Sequence, residues 1–349
     1  MVWVLGIAAG IWFTGRAFGT PAHARWLMLG LFYVALLALL VVVPSGHPLE
    51  RLVGGSLGEW FAMGLLAAAG FGYGHVVSRL RARAKAGEAK PKHSSPFVDG
   101  ELDRYTRHVL LREIGGPGQT VLKQAKVLVV GAGGLGSPAL LYLAAAGVGK
   151  LGIIDEDVVE VSNLQRQIVH SDDSLGMSKV FSARASVKRL NPYVEVLPYN
   201  RALTEDIAPE LFAEYDLILD GSDNFETRYM VNRAAIAAQK PLISAAITQW
   251  EGQISLFDVA RGTPCYRCVF PKPPAEGLAP DCAEAGVLGP LPGVMGSMMA
   301  VEAVKALLGA GQGLEGRLLI YDALHGETRL ITLKRRADCP DCGHVVRSR

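Results

Sequence analysis

A glycine-rich stretch and a nearby carboxylate have the spacing of a nucleotide site. Gly131-Ala132-Gly133-Gly134-Leu135-Gly136 comes directly after an apolar run at 127–130. Its glycines would let the backbone approach a phosphate, and the helix that follows would offer its N-terminus to the negative charge. Asp155 closes the next apolar run, where a carboxylate can accept hydrogen bonds from ribose hydroxyls. These residues alone fit an ATP site and a nicotinamide or flavin site equally well.

Two basic residues further along favour chemistry at phosphorus. Arg166 lies in the polar segment Asn163-Leu164-Gln165-Arg166-Gln167, and Lys179 follows it. Phosphoryl and nucleotidyl transfer spread negative charge over several oxygens in the transition state, whereas hydride transfer does not. We therefore predict a triphosphate site with Arg166 and Lys179 beside the phosphates. The alternative is that both residues are ordinary surface charges.

A second acidic segment, Asp220-Gly221-Ser222-Asp223-Asn224, follows an apolar run at 217–219. The carboxyl ends of strands in a wound α/β sheet face the ligand crevice, so an acid there can meet the phosphates. We predict that Asp223 holds Mg²⁺ and that Asn224 contacts the cofactor beside it. The alternative is that these residues cap the helix predicted at 225–238, a role that Asp and Asn also favour.

Four of the five cysteines are spaced for metal binding. Cys265-Tyr266-Arg267-Cys268 and Cys339-Pro340-Asp341-Cys342 form two C-x-x-C pairs, which together are typical of a closed, tetrahedral structural Zn²⁺ site. The fifth, Cys282, lies in a stretch rich in Pro and Gly at 271–293. A thiol there could attack an activated acyl group, or it could be a non-essential residue of a loop through which the substrate passes.

Alternating strand-like and helix-like runs must position these residues. Helical runs at 138–146, 179–190, 225–238 and 294–308 separate strand-like runs at 127–130, 151–154, 194–197, 217–219 and 242–244. This alternation predicts a Rossmann-like, doubly wound α/β fold with a mainly parallel sheet and helices on both faces. Later strand-like runs at 252–257, 317–321 and 328–333 predict an antiparallel extension of that sheet.

The first 78 residues are too apolar to belong to the same domain. Apolar stretches at 2–13, 26–43 and 57–77 predict two to three transmembrane helices. A signal peptide at 1–20 is a weaker alternative, because no basic region precedes the apolar residues. Residues 79–100 form a predicted basic linker, and the catalytic domain is predicted at 101–345.

Basic residues flank the predicted spans on one side. Arg16 and Arg25 lie between the first two spans, and a basic run from Arg79 to Lys85 follows the third. The positive-inside rule therefore places the catalytic domain in the cytoplasm, at the cell inner membrane. The net charge of +2 gives no indication of nucleic-acid binding.

Taken in order, these motifs resemble those of the E1-like activating enzymes of the ThiF/MoeB/HesA type. The resemblance covers about residues 101–345 and is nearest to the adenylyltransferases that act on molybdopterin synthase. It rests on the glycine stretch, Asp155, the segment 163–167, Lys179, the segment 222–224 and the paired cysteines. It also rests on three further segments, Arg104-Tyr105-Thr106-Arg107-His108, Glu251-Gly252-Gln253 and Cys282-Ala283-Glu284-Ala285-Gly286.

The resemblance implies ATP-dependent adenylation of the C-terminal glycine of a small ubiquitin-like sulfur-carrier protein ending in Gly-Gly. The carrier would be the molybdopterin synthase small subunit, for molybdenum cofactor biosynthesis. Arg107 would reach into the partner subunit's site, which requires a homodimer, and Cys282 would match a cysteine that bonds to the carrier in some relatives. The remaining roles are Asp155 on the ribose, Gly131 and Gly133 at the nucleotide backbone contacts, Asn163, Arg166, Gln167 and Lys179 on the phosphates, and Asp223 on Mg²⁺.

Four alternatives remain open at this point. The same chemistry could act on a thiamine-type sulfur carrier or on a carboxylate of a modified tRNA base. A nicotinamide-dependent oxidoreductase would use the same glycine turn. A catalytically inactive membrane scaffold is disfavoured, because it has no need to keep Arg166, Lys179 and Asp223 together.

Overall fold

The computed structural model describes residues 2–43, 47–87, 96–273 and 286–345. The chain divides into two compact units, Met1–Ser94 and Ser95–Arg349. The described part of the first unit contains the helices α1 (Val2–Ala17), α2 (Ala22–Val42), α3 (Pro48–Val53) and α4 (Leu57–Gly87). Helix α4 therefore continues through 79–87, the first part of the predicted linker, and residues 88–95 lie outside the described residues.

Helices α2 and α4 pack along each other in the first unit. The ring of Trp26 meets that of Phe71 edge-on at 6.1 Å between centroids, and the Tyr33 hydroxyl donates to the Trp60 carbonyl at 2.6 Å. Much of the outward surface is apolar, with Leu31 and Phe71 63% and 67% exposed. Ala22–Val42 and Leu57–Leu80 are long and apolar enough to cross a membrane, with mean hydropathies of 2.2 and 1.3.

The second unit combines helices on a sheet with shorter elements between them. Its described elements are α5 (Thr106–Val109), α6 (Gly115–Gln124), β1 (Lys126–Val130), α7 (Gly136–Ala146), β2 (Lys150–Ile154), α8 (Lys179–Leu190), β3 (Glu195–Tyr199), α9 (Ala208–Ala213), β4 (Leu217–Asp220), α10 (Phe225–Ala237), β5 (Leu242–Ile247), β6 (Glu251–Phe257), α11 (Tyr266–Val269), α12 (Pro290–Leu308), β7 (Arg317–Asp322) and β8 (Glu327–Thr332).

The strands form one eight-stranded sheet in the order β3-β2-β1-β4-β5-β6-β7-β8. The first five strands in that order pair in parallel, and β6, β7 and β8 add antiparallel pairs. The order reverses at β1, so the carboxyl ends of β1, β2 and β4 open a crevice at the topological switch point. The predicted wound α/β sheet with an antiparallel extension is confirmed.

Alternate residues of the central strand face two separate cores. Val127 and Val129 belong to a core that includes residues of α7, α8 and α12. Leu128 and Val130 belong to a second core that includes residues of α9 and α10. Because successive side chains of a strand point to opposite faces, helices cover both faces of the sheet, as predicted.

A third long apolar helix belongs to the sheet domain. Pro290–Leu308 has a mean hydropathy of 1.4, enough by length and composition for a membrane span. Met295, Met299 and Ala303 on this helix are fully buried in the first core, where they pack with side chains of the sheet. Its apolar character is explained by that packing.

A buried ion pair fastens the start of the second unit to its body. Glu101 is fully buried and lies 2.6 Å from the Lys123 ammonium of α6. The other Glu101 oxygen accepts the Val98 amide N–H at 3.1 Å. A buried carboxylate needs such partners, because an unpaired charge in the interior is strongly destabilising. The pair thus fixes the chain just ahead of α5, the helix that carries Arg107.

Candidate active site

The glycine stretch forms a tight loop that requires glycine at two of its positions. Gly131 has φ +89°, and its amide donates to the Ile154 carbonyl of β2 at 2.9 Å. A Cβ on Gly136, the first residue of α7, would lie 2.0 Å from the Gly131 carbonyl oxygen. The loop therefore folds back on itself at the carboxyl end of β1, and only glycine fits these two positions.

Asp155 holds the glycine loop from the neighbouring strand. Its Oδ2 accepts the Ala132 amide N–H at 2.7 Å, and its Oδ1 accepts the Asp157 amide at 2.8 Å. Each carboxylate oxygen can accept a further hydrogen bond. The predicted ribose-binding acid thus lies directly against the predicted phosphate loop.

The segment 163–167 lies over the same loop. Asn163 and Gln167 are buried. The Gln167 Nε2 lies 3.8 Å from where a Cβ on Gly133 would be, and the Arg166 Cγ lies 3.7 Å from the corresponding point on Gly134. Arg166 donates to the Ser162 carbonyl at 3.0 Å, which leaves most of its guanidinium donors free for a ligand.

Lys179 is the first residue of α8 and is almost completely buried. Its ammonium lies 2.7 Å from the Asp157 carboxylate, which is itself largely exposed. A phosphate at this helix N-terminus would compete with Asp157 for the ammonium and would gain from the helix dipole. The side chain is therefore positioned for an anion at the predicted site.

In the segment 220–224, the two roles that the sequence left open, helix capping and cation binding, fall to different residues. Asp220 is buried and accepts from the Ser222 amide, the Ser222 hydroxyl and the Ser244 hydroxyl at 3.0, 2.6 and 2.9 Å. Asn224 caps α10, because its side-chain oxygen accepts the Thr227 amide at 2.8 Å. Asp223 is exposed, and no hydrogen bond or ion pair within the described ranges engages its carboxylate. Asp223 is thus the acid available for a cation.

Two buried residues of the site were not anticipated. Arg228 of α10 donates to the Ser222 carbonyl and, at 2.9 Å, to the Ala245 carbonyl, and so holds the loop that carries Asp223. His170 joins the glycine loop to α8, with Nε2 3.0 Å from the Ala132 carbonyl oxygen and Nδ1 2.8 Å from the Ser182 hydroxyl. Neither residue belongs to a spaced motif, so the sequence contained no signal for its role.

The contacts and the burial of His170 together favour one neutral tautomer. A carbonyl oxygen can only accept, so Nε2 carries a proton, and in the neutral imidazole Nδ1 accepts from the Ser182 hydroxyl. Burial lowers the pKa of His170, and the nearby Lys179 ammonium lowers it too, while the Ala132 carbonyl and Asp155 act in the opposite direction. The imidazole is therefore neutral at neutral pH and fastens the loop through one donated hydrogen bond.

Two predicted catalytic residues are not brought to this site by the described chain. Arg107 is exposed on α5, and its side chain has no hydrogen-bond or ion-pair partner among the residues that the structure describes. Cys282 lies outside the described residues. The roles of both residues stay predictions.

The four paired cysteines form one cluster at the far end of α10. Their Sγ atoms all lie within 4.8 Å of one another. The separations of Cys265 from Cys339 and of Cys268 from Cys342 are 3.6 and 3.4 Å. Four thiolates about 2.3 Å from a tetrahedral Zn²⁺ would be about 3.8 Å apart, so the cluster fits that ion. Burial raises the pKa of the Cys342 thiol to about 11, so Zn²⁺ binding must release protons.

Family comparison agrees with this arrangement over most of the second unit. The ThiF family matches residues 105–341. The chain belongs to the ThiF family. The sulfur carrier protein adenylyltransferase of Thermus thermophilus is 51% identical over 247 residues, which are 70% of this chain and 91% of that protein. The SAMP-activating enzyme E1 of Haloferax volcanii is 49% identical over 243 residues, 70% and 89% of the two chains.

Other relatives are longer or more distant. The adenylyltransferase and sulfurtransferase MOCS3 of Bos taurus is 50% identical over 244 residues, and the chain spans 53% of its length. The crystal structure of MccB from E. coli with ATP has the same fold, with a TM-score of 0.61 and 23% identity over 72% of this chain and 78% of that one. Family and relatives together make the chain an adenylyltransferase.

The charge state of His170 can be tested through stability. Its pKa in the folded chain is below the ordinary value of 6.5. Below pH 6.5 the unfolded chain therefore binds more protons, and the folded state loses stability as the pH falls. His170→Gln keeps a donor for Ala132 but does not titrate. Thermal unfolding of the full chain in detergent should show wild type losing stability relative to this variant below pH 6.5, by at most about 1.4 kcal/mol per pH unit.

Parallel pH profiles for the two proteins would show instead that His170 has an ordinary pKa. A variant already less stable above pH 6.5 leaves the comparison valid, because the measured quantity is the difference in slope.

Proposed function

We propose that the chain adenylates the C-terminal glycine carboxylate of a small sulfur-carrier protein with ATP and releases pyrophosphate. The observation that carries this proposal is the convergence of Asp155, Arg166, Lys179 and the Asp223 loop on one glycine loop in a ThiF-family chain. An oxidoreductase with the same turn would not need two cations and an exposed acid around the phosphates.

The reaction needs positioning and charge neutralisation. A carboxylate oxygen of the carrier attacks the α-phosphorus, the bond to the bridging oxygen breaks, and its electrons leave with pyrophosphate. A C-terminal carboxylate is ionised at neutral pH, so no residue has to remove a proton. Arg166 and Lys179 neutralise phosphate oxygens, and Asp155 orients the nucleotide through its ribose. Mg²⁺, held by Asp223, would supply further charge at the phosphates.

The substrate is proposed to be a ubiquitin-like carrier ending in Gly-Gly, of the molybdopterin synthase small subunit type. Relatives named for sulfur carriers support the carrier class. An apolar surface at two neighbouring turns, between β5 and β6 and between β7 and β8, offers a place for such a protein. Trp250 and Leu324 are 43% and 58% exposed, and the Trp250 carbonyl accepts the Ala323 amide at 2.9 Å, which joins the two turns. A thiamine-type carrier or a tRNA-base carboxylate would use the same chemistry.

A homodimer is proposed because the family resemblance implies a role for Arg107 at a partner's phosphates, and Arg107 is exposed on α5. An open groove of about 630 Å³ between α7 and α12 has Arg166 among its lining residues. Tyr142, Ile168 and Val301, which also line it, are 58–59% exposed. A second copy of the chain would cover this apolar surface and could bring its own Arg107 close to Arg166.

We also propose that the first unit inserts in the inner membrane with the second unit in the cytoplasm. The long apolar helices Ala22–Val42 and Leu57–Leu80 and their exposed apolar side chains support insertion. The basic run that begins at Arg79 supports the orientation.

The assignment of Asp223 gives a first prediction. Asp223→Ala should reduce carrier-dependent ATP–pyrophosphate exchange to background, because the exposed carboxylate for Mg²⁺ is removed. The cysteine cluster should still bind one Zn²⁺ per chain. Glu226→Ala, which removes an exposed acid three residues later, serves as the matched control and should retain exchange. Full exchange by Asp223→Ala would exclude the assignment.

The role of Arg107 gives a second prediction. Arg107→Ala and Asp223→Ala should each be inactive alone. Co-expressed as mixed dimers, they should recover exchange at about a quarter of the sites, because one site of each heterodimer then combines an intact Asp223 with an intact partner arginine. No recovery from verified heterodimers would place Arg107 in its own subunit's site or outside catalysis.

Membrane insertion gives a third prediction. Alkaline carbonate extraction of membranes should leave the full chain in the pellet, because two apolar helices of about 20 residues are effectively irreversible anchors. A fragment of residues 96–349 should stay in the supernatant. Release of the full chain into the supernatant would contradict insertion.

A further inference from the structure

The loop that carries Asp223 is attached to a helix that also reaches the cysteine cluster. Helix α10 starts immediately after Asn224, and one turn later Arg228 donates to the Ser222 carbonyl, next to Asp223. Asn232 lies one further turn along the same face and is 1% exposed. Arg228 thus holds the Asp223 loop near the start of α10, and Asn232 lies one turn further along the same helix.

Asn232 binds both halves of the cysteine cluster. Its side-chain oxygen accepts the amide N–H of Tyr266, which lies between the first two cysteines, at 2.9 Å. Its side-chain amide donates to the carboxylate of Asp341, which lies between the second two, at 2.9 Å. Both bonds are buried, so losing either partner would leave a costly unpaired polar group.

The side chains of Tyr266 and Arg267 contact the same helix at Tyr229. The Arg267 guanidinium lies 5.3 Å from the ring centre of Tyr229 and donates to Asp341 at 3.1 Å. The Tyr266 ring meets that of Tyr229 edge-on at 5.4 Å. Two residues of the cysteine cluster thus pack on Tyr229, one residue after the arginine that holds the Asp223 loop.

We propose that the cysteine cluster, when it holds Zn²⁺, positions α10 and through it the Asp223 loop, with Asn232 as the positioning residue that joins them. The inference rests on the proposed function, which assigns Mg²⁺ to Asp223. The two cysteine pairs are far apart in sequence, and their buried thiols have no covalent link. Zn²⁺ fixes one pair against the other, so it also fixes the two groups that Asn232 binds.

For the reaction, this means that the affinity of the Asp223 site for Mg²⁺ depends on whether the cysteine cluster is intact. Mg²⁺ demands near-ideal octahedral geometry, so a small displacement of one carboxylate weakens binding. A cluster that only stabilises the fold would change the melting temperature and leave the Mg²⁺ requirement of the folded enzyme unchanged.

The test compares two neighbouring positions on α10 in the full-length protein. Asn232→Leu keeps the size of the side chain and removes both hydrogen bonds. Arg233→Leu is the control, because Arg233 pairs with Glu205 at the surface and does not touch the cluster. Both variants should bind one Zn²⁺ per chain. The Mg²⁺ concentration for half-maximal exchange should rise about tenfold in Asn232→Leu, with the rate at saturating Mg²⁺ little changed, and stay at the wild-type value in the control.

A second measurement removes the metal instead of the side chain. Mg²⁺-dependent binding of a fluorescent ATP analogue to the wild-type protein should weaken when a chelator removes Zn²⁺ and recover when Zn²⁺ is returned. Asn232→Asp, which keeps the acceptor for Tyr266 but sets a carboxylate against Asp341, should shift the Mg²⁺ requirement in the same direction if Asn232→Leu does not fold.

Unchanged Mg²⁺ half-saturation in a Zn²⁺-loaded Asn232 variant, or nucleotide binding unaffected by Zn²⁺ removal, would overturn the proposal. A wild-type protein that shows no exchange with any carrier would contradict the proposed function instead. The nucleotide-binding measurement would still test the coupling in that case.

Discussion

The glycine loop at the end of β1 is the constraint on which the site depends. The Gly136 position lies so close to the Gly131 carbonyl that no side chain fits between them. The surrounding groups bind the loop backbone itself. Asp155 takes the Ala132 amide, and His170 donates to the Ala132 carbonyl. Both polar groups of one residue in the loop are thus fixed before any nucleotide arrives, which is the preorganisation that phosphate chemistry requires.

The topology of the sheet explains why distant segments meet at this loop. Strand order reverses at β1, so the ends of β2 and β4 flank it and bring Asp155 and the Asp223 loop to opposite sides. The antiparallel strands β6, β7 and β8 extend the same sheet and add an exposed apolar surface suited to a protein substrate. The proposed nucleotide site and the proposed carrier surface thus lie on the parallel and antiparallel parts of one sheet.

Most of the fold and much of the site could be predicted, because apolar runs, glycine spacing and paired cysteines each leave a local pattern. Short helices such as α5 and α9 have no such pattern. The sequence left Asp223 and Asn224 as equal candidates for the helix cap, and only the Thr227 contact identifies Asn224 as the cap. Buried contacts between distant residues, such as His170 with Ala132 and Asn232 with Asp341, arise from tertiary packing and could not be predicted from spacing.

Transfer of AMP from ATP to a protein carboxylate is the reaction proposed for this chain. It is tested most directly by incubating the full-length protein with ATP, Mg²⁺ and each small Gly-Gly-ending carrier of the host, followed by intact-mass spectrometry of the carrier. One carrier should gain a single AMP at its C-terminal glycine, with one pyrophosphate released for each AMP transferred. ATP binding without AMP on any carrier, or release of ADP and phosphate in place of pyrophosphate, would contradict the proposed reaction.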